Sequence, residues 1–303
     1  MKKVLVTGAS GFIGYRVGIA FHKRGYEVIG WDRSENRSLF PIVKVDLADE
    51  NEVVAQLSLF NPDVVIHCAG AADVGKSVKD PTTDYYGNVT TTHNLLFSLH
   101  KTGMEKSRIV FLSSAGVYGN PVSLPIVEDM PLNPLSPYAV HKVMCEDLCK
   151  YFASNYGMNV KVARIFSAYG AGLRKQIFWD MYQKMIHTGR LDMFGTGNES
   201  RDYIHVDDVV QSLYLLATVD SDHVIFNVAN GEEVTIREAT EMFAEACGAG
   251  NEIICFNGVV REGDPLNWRA DISKIKQLGY KKTVDMRMGL KGYAVWVEKQ
   301  SCK

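Results

Sequence analysis

The sequence lacks the features that mark membrane, secreted and nucleic-acid-binding proteins. Every apolar run falls well short of the 18 residues that a membrane span needs, and Met1-Lys2-Lys3 leads into a short strand pattern, not into the apolar core of a signal peptide. Lys and Arg number 33 against 35 Asp and Glu, so the chain has no basic excess with which to bind a phosphate backbone. We therefore expect a cytoplasmic protein with neither a membrane nor a nucleic-acid partner.

Cysteine is scarce and dispersed. The 303 residues include six cysteines, at positions 68, 145, 149, 247, 255 and 302. Cys145 and Cys149 lie one helical turn apart, but no second Cys or His pair with zinc-ligand spacing accompanies them. We expect reduced thiols, no disulfide bond and no metal site.

The sequence also contains no linker, repeat or low-complexity tract. Its composition, with 46% hydrophobic and 22% charged residues, is that of an ordinary globular protein. Six short apolar runs follow one another at 4–7, 28–31, 42–45, 64–68, 109–112 and 160–165. Segments of helical periodicity lie between them, near 12–24, 50–60, 83–102 and 136–156. Runs that are apolar at consecutive positions are typical of parallel strands covered on both faces. The pattern predicts an α/β protein with a Rossmann doubly wound parallel sheet.

The regular alternation of strands and helices ends after residue 168. Helices are expected near 175–189, 206–218, 235–247 and 287–298, with a short strand at 224–228 and no linker before them. We expect a dinucleotide-binding domain over 1–168 with a return segment at 205–229. A smaller mixed α/β C-terminal substrate domain is expected over 169–204 and 230–303.

The first strand ends in a glycine motif, Thr7-Gly8-Ala9-Ser10-Gly11-Phe12-Ile13-Gly14, placed between a strand and a helix. The first glycine permits a tight turn and the second lets backbone N–H groups approach a pyrophosphate. The third lets the helix lie close to the sheet. We expect Gly8, Gly11, Phe12, Ile13 and Gly14 to bind a dinucleotide.

An acidic residue follows the second strand. Asp32 stands 18 positions after Gly14, where a carboxylate accepts hydrogen bonds from both adenosine-ribose hydroxyls, which favours NAD. Arg33 and Arg37 come next and would suit the 2′-phosphate of NADP, which stays possible. Further cofactor contacts are expected at the ends of strands three and four, from Asp46, Leu47, Ala69, Gly70 and Ala71.

A hydroxyl, a phenol and an ammonium form the candidate catalytic set. Ser114 follows the fifth strand, and Tyr138 and Lys142 are four residues apart, which places them on one face of a helix. A neighbouring ammonium and a positively charged nicotinamide ring would both favour the phenolate of Tyr138, which then serves as a general base. Ser114 can hydrogen-bond the same substrate oxygen.

These residues resemble the extended short-chain dehydrogenases/reductases of the NAD-dependent epimerase/dehydratase family, in particular the nucleotide-sugar epimerases related to UDP-glucose 4-epimerase. The resemblance spans nearly the whole chain and rests on the glycine motif and on the runs at 113–119, 137–142, 201–208 and 261–264. It implies that Tyr138 is the catalytic base, that Lys142 favours its phenolate and holds the nicotinamide ribose, and that Ser114 orients the sugar hydroxyl.

The resemblance also implies a substrate site for a nucleoside-diphosphate sugar. Arg201 and Arg261 resemble the two guanidinium groups that hold the diphosphate. Asp264 resembles a contact to the nucleotide ribose, Phe194 a residue of the base pocket, and Trp268 a residue that lines the hexose pocket and restricts the C2 substituent. Family members pair as homodimers through helices that correspond to 83–102 and 138–156 here.

Departures from the family pattern restrict the reactions that this chain is expected to catalyse. Related 4,6-dehydratases carry an acid pair where this chain has Ala115 and Gly116, and neither of these side chains can transfer a proton. Hydride exchange at C4 remains, so we expect an NAD-dependent nucleotide-sugar 4-epimerase. A 4-ketoreductase of a 4-keto-6-deoxyhexose is the alternative, because Ala72 and Ser167 replace a cofactor-binding Lys and an Asn of the epimerase pattern. A non-catalytic dinucleotide-binding sensor is the remote alternative.

Overall fold

The structure is a computed structural model that describes residues 1–34, 38–259 and 265–301. Its elements along the chain are β1 (Lys3–Thr7), α1 (Phe12–Lys23), β2 (Glu27–Asp32), β3 (Ile42–Lys44), α2 (Glu50–Phe60), β4 (Val64–His67), α3 (Val74–Lys79), α4 (Pro81–Tyr85), a π-turn (Tyr86–Thr90), α5 (Thr91–Lys101), β5 (Arg108–Ser114), a 3-10 turn (Ala115–Tyr118), α6 (Pro137–Tyr156), β6 (Asn159–Ile165), β7 (Ser167–Tyr169), α7 (Gln176–Thr188), β8 (Leu191–Met193), β9 (Ser200–Arg201), β10 (Tyr203–His205), α8 (Val206–Thr218), β11 (Ile225–Val228), β12 (Val234–Thr235), α9 (Ile236–Ala246), a 3-10 turn (Asn251–Ile253), β13 (Ile254–Phe256), α10 (Ser273–Gln277) and α11 (Met286–Ser301).

The main sheet has seven parallel strands in the order β11-β6-β5-β4-β1-β2-β3. The chain starts at β1, proceeds outward to β3, and then returns to build β4, β5 and β6 on the other side of β1. The reversal between β1 and β4 is the topological switch point at which doubly wound sheets bind ligands. The predicted Rossmann fold is confirmed.

Alternating side chains of each strand are buried on opposite faces of this sheet. Val4 and Val6 belong to a core shared with α1 and α8, whereas Leu5 belongs to a core shared with α2, α5 and α6. Cys145 and Cys149 are fully buried in this second core, on α6. Because both faces are covered, a strand is apolar at consecutive positions, which is why the runs could be located in the sequence.

The prediction of one helix over 83–102 is wrong in detail. The segment begins at Pro81, after the cap Asp80, and a π-turn interrupts it before α5. The Asn88 side chain donates to the carbonyl of Asp84 (3.1 Å), and Thr91 Oγ1 donates to the carbonyl of Gly87 (2.9 Å). These side-chain bonds satisfy carbonyls that would otherwise bond within a regular helix, and π-turns of this kind are frequent at functional sites. Helix α3 was not predicted.

The second region forms a third core, to which α7, α9 and α11 contribute, beside three two-stranded sheets. β11 leaves this region to become the edge strand of the main sheet, next to β6. That position supports the proposed return segment at 205–229, and the domain boundaries stay a prediction.

The five cysteines in the described ranges are free thiols. In those same ranges, no helix combines the length and apolarity of a membrane span.

Candidate active site

The loop between β1 and α1 is shaped by its glycines. Gly8 has φ of 64°, in the left-handed region that favours glycine. A Cβ atom on Gly14 would lie 2.2 Å from the carbonyl oxygen of Gly8, so this glycine lets α1 start against its own loop. Gly11 is the N-cap of α1 without a side-chain cap, and half-buried Phe12 and Ile13 open the helix. The result is a narrow backbone cradle at a helix N-terminus, which fits a dinucleotide pyrophosphate.

Asp32 is held at the end of β2 beside this cradle. One carboxylate oxygen accepts from the backbone N–H of Ser10 (2.9 Å) and the other from that of Arg33 (2.8 Å). The Arg33 side chain is exposed, and Arg37 lies outside the described residues. The carboxylate is therefore fixed at the sheet edge, where an adenosine ribose would meet it.

The remaining expected cofactor contacts lie along the same edge. Asp46 and Leu47 follow β3, and the Asp46 carboxylate accepts from the backbone N–H of Ala48 (2.9 Å). Ala69, Gly70 and Ala71 follow β4, and the N–H of Ala69 donates to Thr7 Oγ1 (3.2 Å). The structure thus brings these loops to the carboxyl end of neighbouring strands.

The three expected catalytic residues lie close together where β5 ends and α6 begins. Ser114 ends β5, and its Oγ accepts from the N–H of Gly116 (3.1 Å). Tyr138 lies in the first turn of α6, whose N-cap is Ser136. The Lys142 ammonium is buried, donates to the carbonyl of Leu112 (3.0 Å), and lies 5.8 Å from the centre of the Tyr138 ring.

A buried ion pair holds α6 against the sheet. Glu146 follows Lys142 by one turn and is fully buried, and its carboxylate accepts from the Arg164 guanidinium at 2.6 Å and from Ser113 Oγ at 2.5 Å. Arg164 also donates to the hydroxyl of Tyr118 (2.8 Å). A buried charged pair is specific in geometry because breaking it leaves an uncompensated charge. The ion pair therefore fixes α6 against β6, and the Ser113 hydrogen bond ties the same carboxylate to β5.

A cleft of about 560 Å³ opens above these residues. Ser114 and Tyr138 line one part of it, and Phe194, Arg201 and Trp268 line another. Its size suits a nucleotide sugar, since such pockets commonly measure about 300–1,000 Å³. The structure thus brings five of the seven expected substrate-binding residues into one cleft, whereas Arg261 and Asp264 lie outside the described residues.

Trp268 is fixed in this cleft from three directions. Its indole N–H donates to the carbonyl of Gly119 (2.9 Å), its ring packs edge-on against Phe166 (5.8 Å between centres), and the Arg201 guanidinium lies 5.5 Å from the ring centre. Arg201 in turn donates to the carbonyl of Ser200 (2.8 Å). Phe194 is 48% exposed, which suits a residue that receives a planar base, and the ammonium of Lys184 lies 5.9 Å from its ring centre.

Residues 4–229 match the model of the NAD dependent epimerase/dehydratase family. The chain belongs to this family. A putative UDP-glucose 4-epimerase of Methanocaldococcus jannaschii is 32% identical over 310 residues, which cover 97% of this chain and 98% of that protein.

Two solved structures show the same fold. A UDP-glucuronic acid 4-epimerase of Bacillus cereus, in complex with UDP-glucuronic acid and NAD, has a TM-score of 0.88 at 27% identity and covers 98% of this chain and 99% of its own. A dTDP-glucose 4,6-dehydratase of Streptomyces venezuelae with bound NAD has a TM-score of 0.89 at 26% identity, with 99% of this chain and 98% of its own covered.

Family membership makes this chain an NAD-dependent enzyme of the extended short-chain dehydrogenase/reductase type. The glycine cradle and Asp32 are the groups that would hold the adenosine half of NAD. Lys142 and the loop after β4 are the groups expected to hold its nicotinamide half. In the described part of the chain, no group of three His, Cys, Asp or Glu side chains converges on a metal position.

Two polar side chains of the candidate active site were not predicted from the sequence. Asn88, in the π-turn, is buried, and its Oδ1 would lie 2.7 Å from a Cβ atom on Gly70. Lys175, at the start of α7, lines the cleft and donates from its ammonium to the carbonyl of Ala72 (2.7 Å). The Lys175 contact spans 103 positions, and no local pattern signals it. Asn88 is one of many polar residues in its run, so no local pattern signals it either.

Proposed function

We propose that this chain is an NAD-dependent nucleotide-sugar 4-epimerase that oxidises and re-reduces C4 of a nucleoside-diphosphate hexose. The observation that carries the proposal is that Ser114 and Tyr138 line one cleft, with the buried Lys142 ammonium 5.8 Å from the centre of the Tyr138 ring. Ala115 and Gly116 stand in place of the dehydratase acid pair. Relatives named UDP-glucose 4-epimerase and UDP-glucuronic acid 4-epimerase support the same reaction.

The carboxylates that line the described part of the cleft are already engaged. Asp180 pairs with Lys184 at 2.8 Å. Glu199 accepts the backbone N–H groups of Thr196 (3.0 Å) and Gly197 (2.9 Å). Burial raises the pKa of Glu199, but these bonds outweigh it and the net direction is downward. Both carboxylates already hold partners, and no third one lines the described part of the cleft, which supports chemistry at a single carbinol over elimination of water.

In this proposal Tyr138 moves the proton at the sugar hydroxyl. The Tyr138 phenolate removes the proton from O4 of the sugar and later returns it, while Ser114 Oγ hydrogen-bonds the same oxygen. The Lys142 ammonium favours the phenolate through its positive charge. NAD, when held by the glycine cradle and Asp32, would supply a hydride acceptor for C4, and return of the same hydride to the opposite face would leave net redox at zero. Arg201 holds the diphosphate while the sugar turns over in the cleft.

Proton NMR of the purified protein with UDP-, dTDP- and GDP-hexoses, with and without added NAD(P)H, tests this function. Epimerisation at C4 without added cofactor is expected. Stoichiometric consumption of NAD(P)H on a 4-keto-6-deoxy sugar nucleotide, with no epimerisation of any hexose nucleotide, would assign the 4-ketoreductase reaction instead. Dinucleotide binding without turnover of any sugar nucleotide would assign a dinucleotide sensor.

A Tyr138→Phe variant tests the residue that carries the mechanism. The substitution removes one oxygen and little packing, so fold and NAD binding should persist, while turnover should fall by about 10²-fold or more. Tyr156→Phe is the matched control, because Tyr156 lies at the other end of the same helix, does not line the cleft and is 36% exposed. Near wild-type turnover in Tyr138→Phe would show that another group is the base.

The active form is proposed to be a homodimer. α4, the π-turn and α6 expose a set of large apolar side chains to solvent, namely Tyr85, Tyr86, Val140, Met144 and Tyr151. Exposed apolar side chains grouped on adjacent elements are typical of subunit interfaces, and a second copy of the chain is the proposed occupant.

A further inference from the structure

Directly beside the active site lies a buried pair formed by a carboxylate and an imidazole. Asp84, on α4, is 3% exposed, and His141, which precedes Lys142 on α6, is 8% exposed. His141 Nδ1 lies 2.7 Å from Asp84 Oδ2. Because a carboxylate only accepts hydrogen bonds, the Nδ1 atom carries the proton and donates. The pair therefore ties α4 to the helix that carries Tyr138 and Lys142.

The same carboxylate fixes the amide of Asn88. Asn88 Nδ2 donates to the carbonyl of Asp84 (3.1 Å) and to Asp84 Oδ2 (3.2 Å). Both atoms on this side are acceptors, so only the NH₂ end of the amide can face them. The Asn88 oxygen is forced to the opposite side.

On that opposite side the Asn88 oxygen meets the cofactor edge. A Cβ atom on Gly70 would lie 2.7 Å from Asn88 Oδ1 and 3.4 Å from Lys142 Nζ, so the oxygen and the ammonium flank the same backbone position. Asn88 is 1% exposed, and its Oδ1 has no hydrogen-bond partner within the described ranges. A buried acceptor without a partner is costly, and its persistence is typical of a site where a ligand completes the set.

We propose that Asp84 and His141 are positioning residues of the active site. The pair holds the Asn88 oxygen toward Gly70 and holds the Lys142 end of α6 at a fixed distance from the loop after β4. Neither Asp84 nor His141 lines the cleft, so they act through Asn88 and Lys142. The kinetic part of this inference rests on the proposed function.

Stability alone does not account for the pair. Two apolar side chains of similar volume often fill such a space at equal or lower free energy, because a buried polar pair gains little beyond its own desolvation cost. Asp84 Oδ1 also lacks a partner in the described part of the chain, so the carboxylate is not optimised for stability. Its Oδ2 accepts from both His141 and Asn88, and this oxygen is therefore the atom that positions the two side chains.

The first test separates positioning from packing by removing one partner and then both. Asp84→Leu and His141→Leu each leave a buried polar group unpaired, so both thermal stability and kcat should fall. The double variant removes both partners and should recover thermal stability, while kcat stays about 10- to 100-fold low and KM changes little. Recovery of kcat together with the melting temperature would overturn the proposal.

The second test keeps a polar residue at 141 and moves its donor. The amide nitrogen of His141→Asn stands where Nδ1 was, whereas that of His141→Gln, which is closer to His in size, stands nearer to Nε2. Positioning through Nδ1 predicts a higher kcat for the Asn variant than for the Gln variant. The reverse order follows from packing alone and would contradict the inference, even if the double variant did not fold.

A crystal structure of His141→Gln with bound NAD gives a readout that does not depend on turnover. The Asn88 oxygen is expected to leave its place beside Gly70, or the 3.0 Å contact between Lys142 Nζ and the Leu112 carbonyl to lengthen. If the wild type epimerises no sugar nucleotide, the proposed function fails and this structural test still stands. An unchanged Asn88 and Lys142 would overturn the positioning role by itself.

Discussion

Replacing Trp268 by alanine should relax the enzyme's choice of sugar. The indole lines the cleft but is only 8% exposed, and it is held by the Gly119 carbonyl, the Phe166 ring and the Arg201 guanidinium. A side chain held on three sides cannot move aside without breaking these contacts. A 2-acetamido group that reaches it would therefore overpack the site, whereas a 2-hydroxyl would not.

Overpacking of this kind costs about 1–3 kcal/mol, which corresponds to about 5- to 150-fold in kcat/KM. We expect the wild type to prefer a plain or 6-deoxy hexose over its N-acetylated counterpart by a factor in this range. Trp268→Ala should bring the two values closer together. The variant should also unfold more easily, by about 3–5 kcal/mol, because it leaves a cavity next to Phe166.

The assay is kcat/KM for paired hexose and N-acetylhexosamine nucleotides in both proteins. Trp268→Phe keeps an aromatic ring in the site but loses the N–H donor and part of the volume, so its ratio should lie between those of the wild type and Trp268→Ala. Trp179→Ala is the control for the loss of a tryptophan outside the cleft, and it should leave the ratio of the two sugars unchanged. Equal use of both sugars by the wild type, or an unchanged ratio in Trp268→Ala, would remove Trp268 from the specificity argument.

Three further outcomes are expected. Gly14→Ala should weaken NAD binding in a fluorescence titration more than Gly11→Ala, because the new Cβ would lie 2.2 Å from the Gly8 carbonyl oxygen against 3.1 Å for Gly11, and equal affinities would refute the steric argument. Burial, with a smaller contribution from Lys142, lowers the pKa of His67 to about 3, below its unfolded value of about 6.5. The folded state therefore stays neutral while the unfolded state takes up a proton, so stability to urea should fall by roughly 1.5 kcal/mol between pH 6.5 and 5, and His67→Gln should lack this component. Light scattering at micromolar concentration should show a dimer that Met144→Glu dissociates, and a monomeric wild type would refute the dimer.

The features readable from sequence are those set by neighbours along the chain. The strands of the main sheet were visible because burial on both faces makes each a continuous apolar run. The glycine cradle is a local turn, and Tyr138 and Lys142 share a helix face through their four-residue spacing alone. Family membership, which depends on such local motifs, followed from the same residues.

Contacts between distant segments had no such signature. His141 meets Asp84 across 57 positions and Lys175 meets Ala72 across 103, and nothing near either residue indicates its partner. The break in the helix over 83–102 arose because the Asn88 side chain competes for a backbone carbonyl, an outcome that periodicity does not encode. Hydrophobic periodicity reports which face of an element is buried, whereas the partner of a buried polar group is decided by where the chain returns in space, and only the tertiary structure determines that.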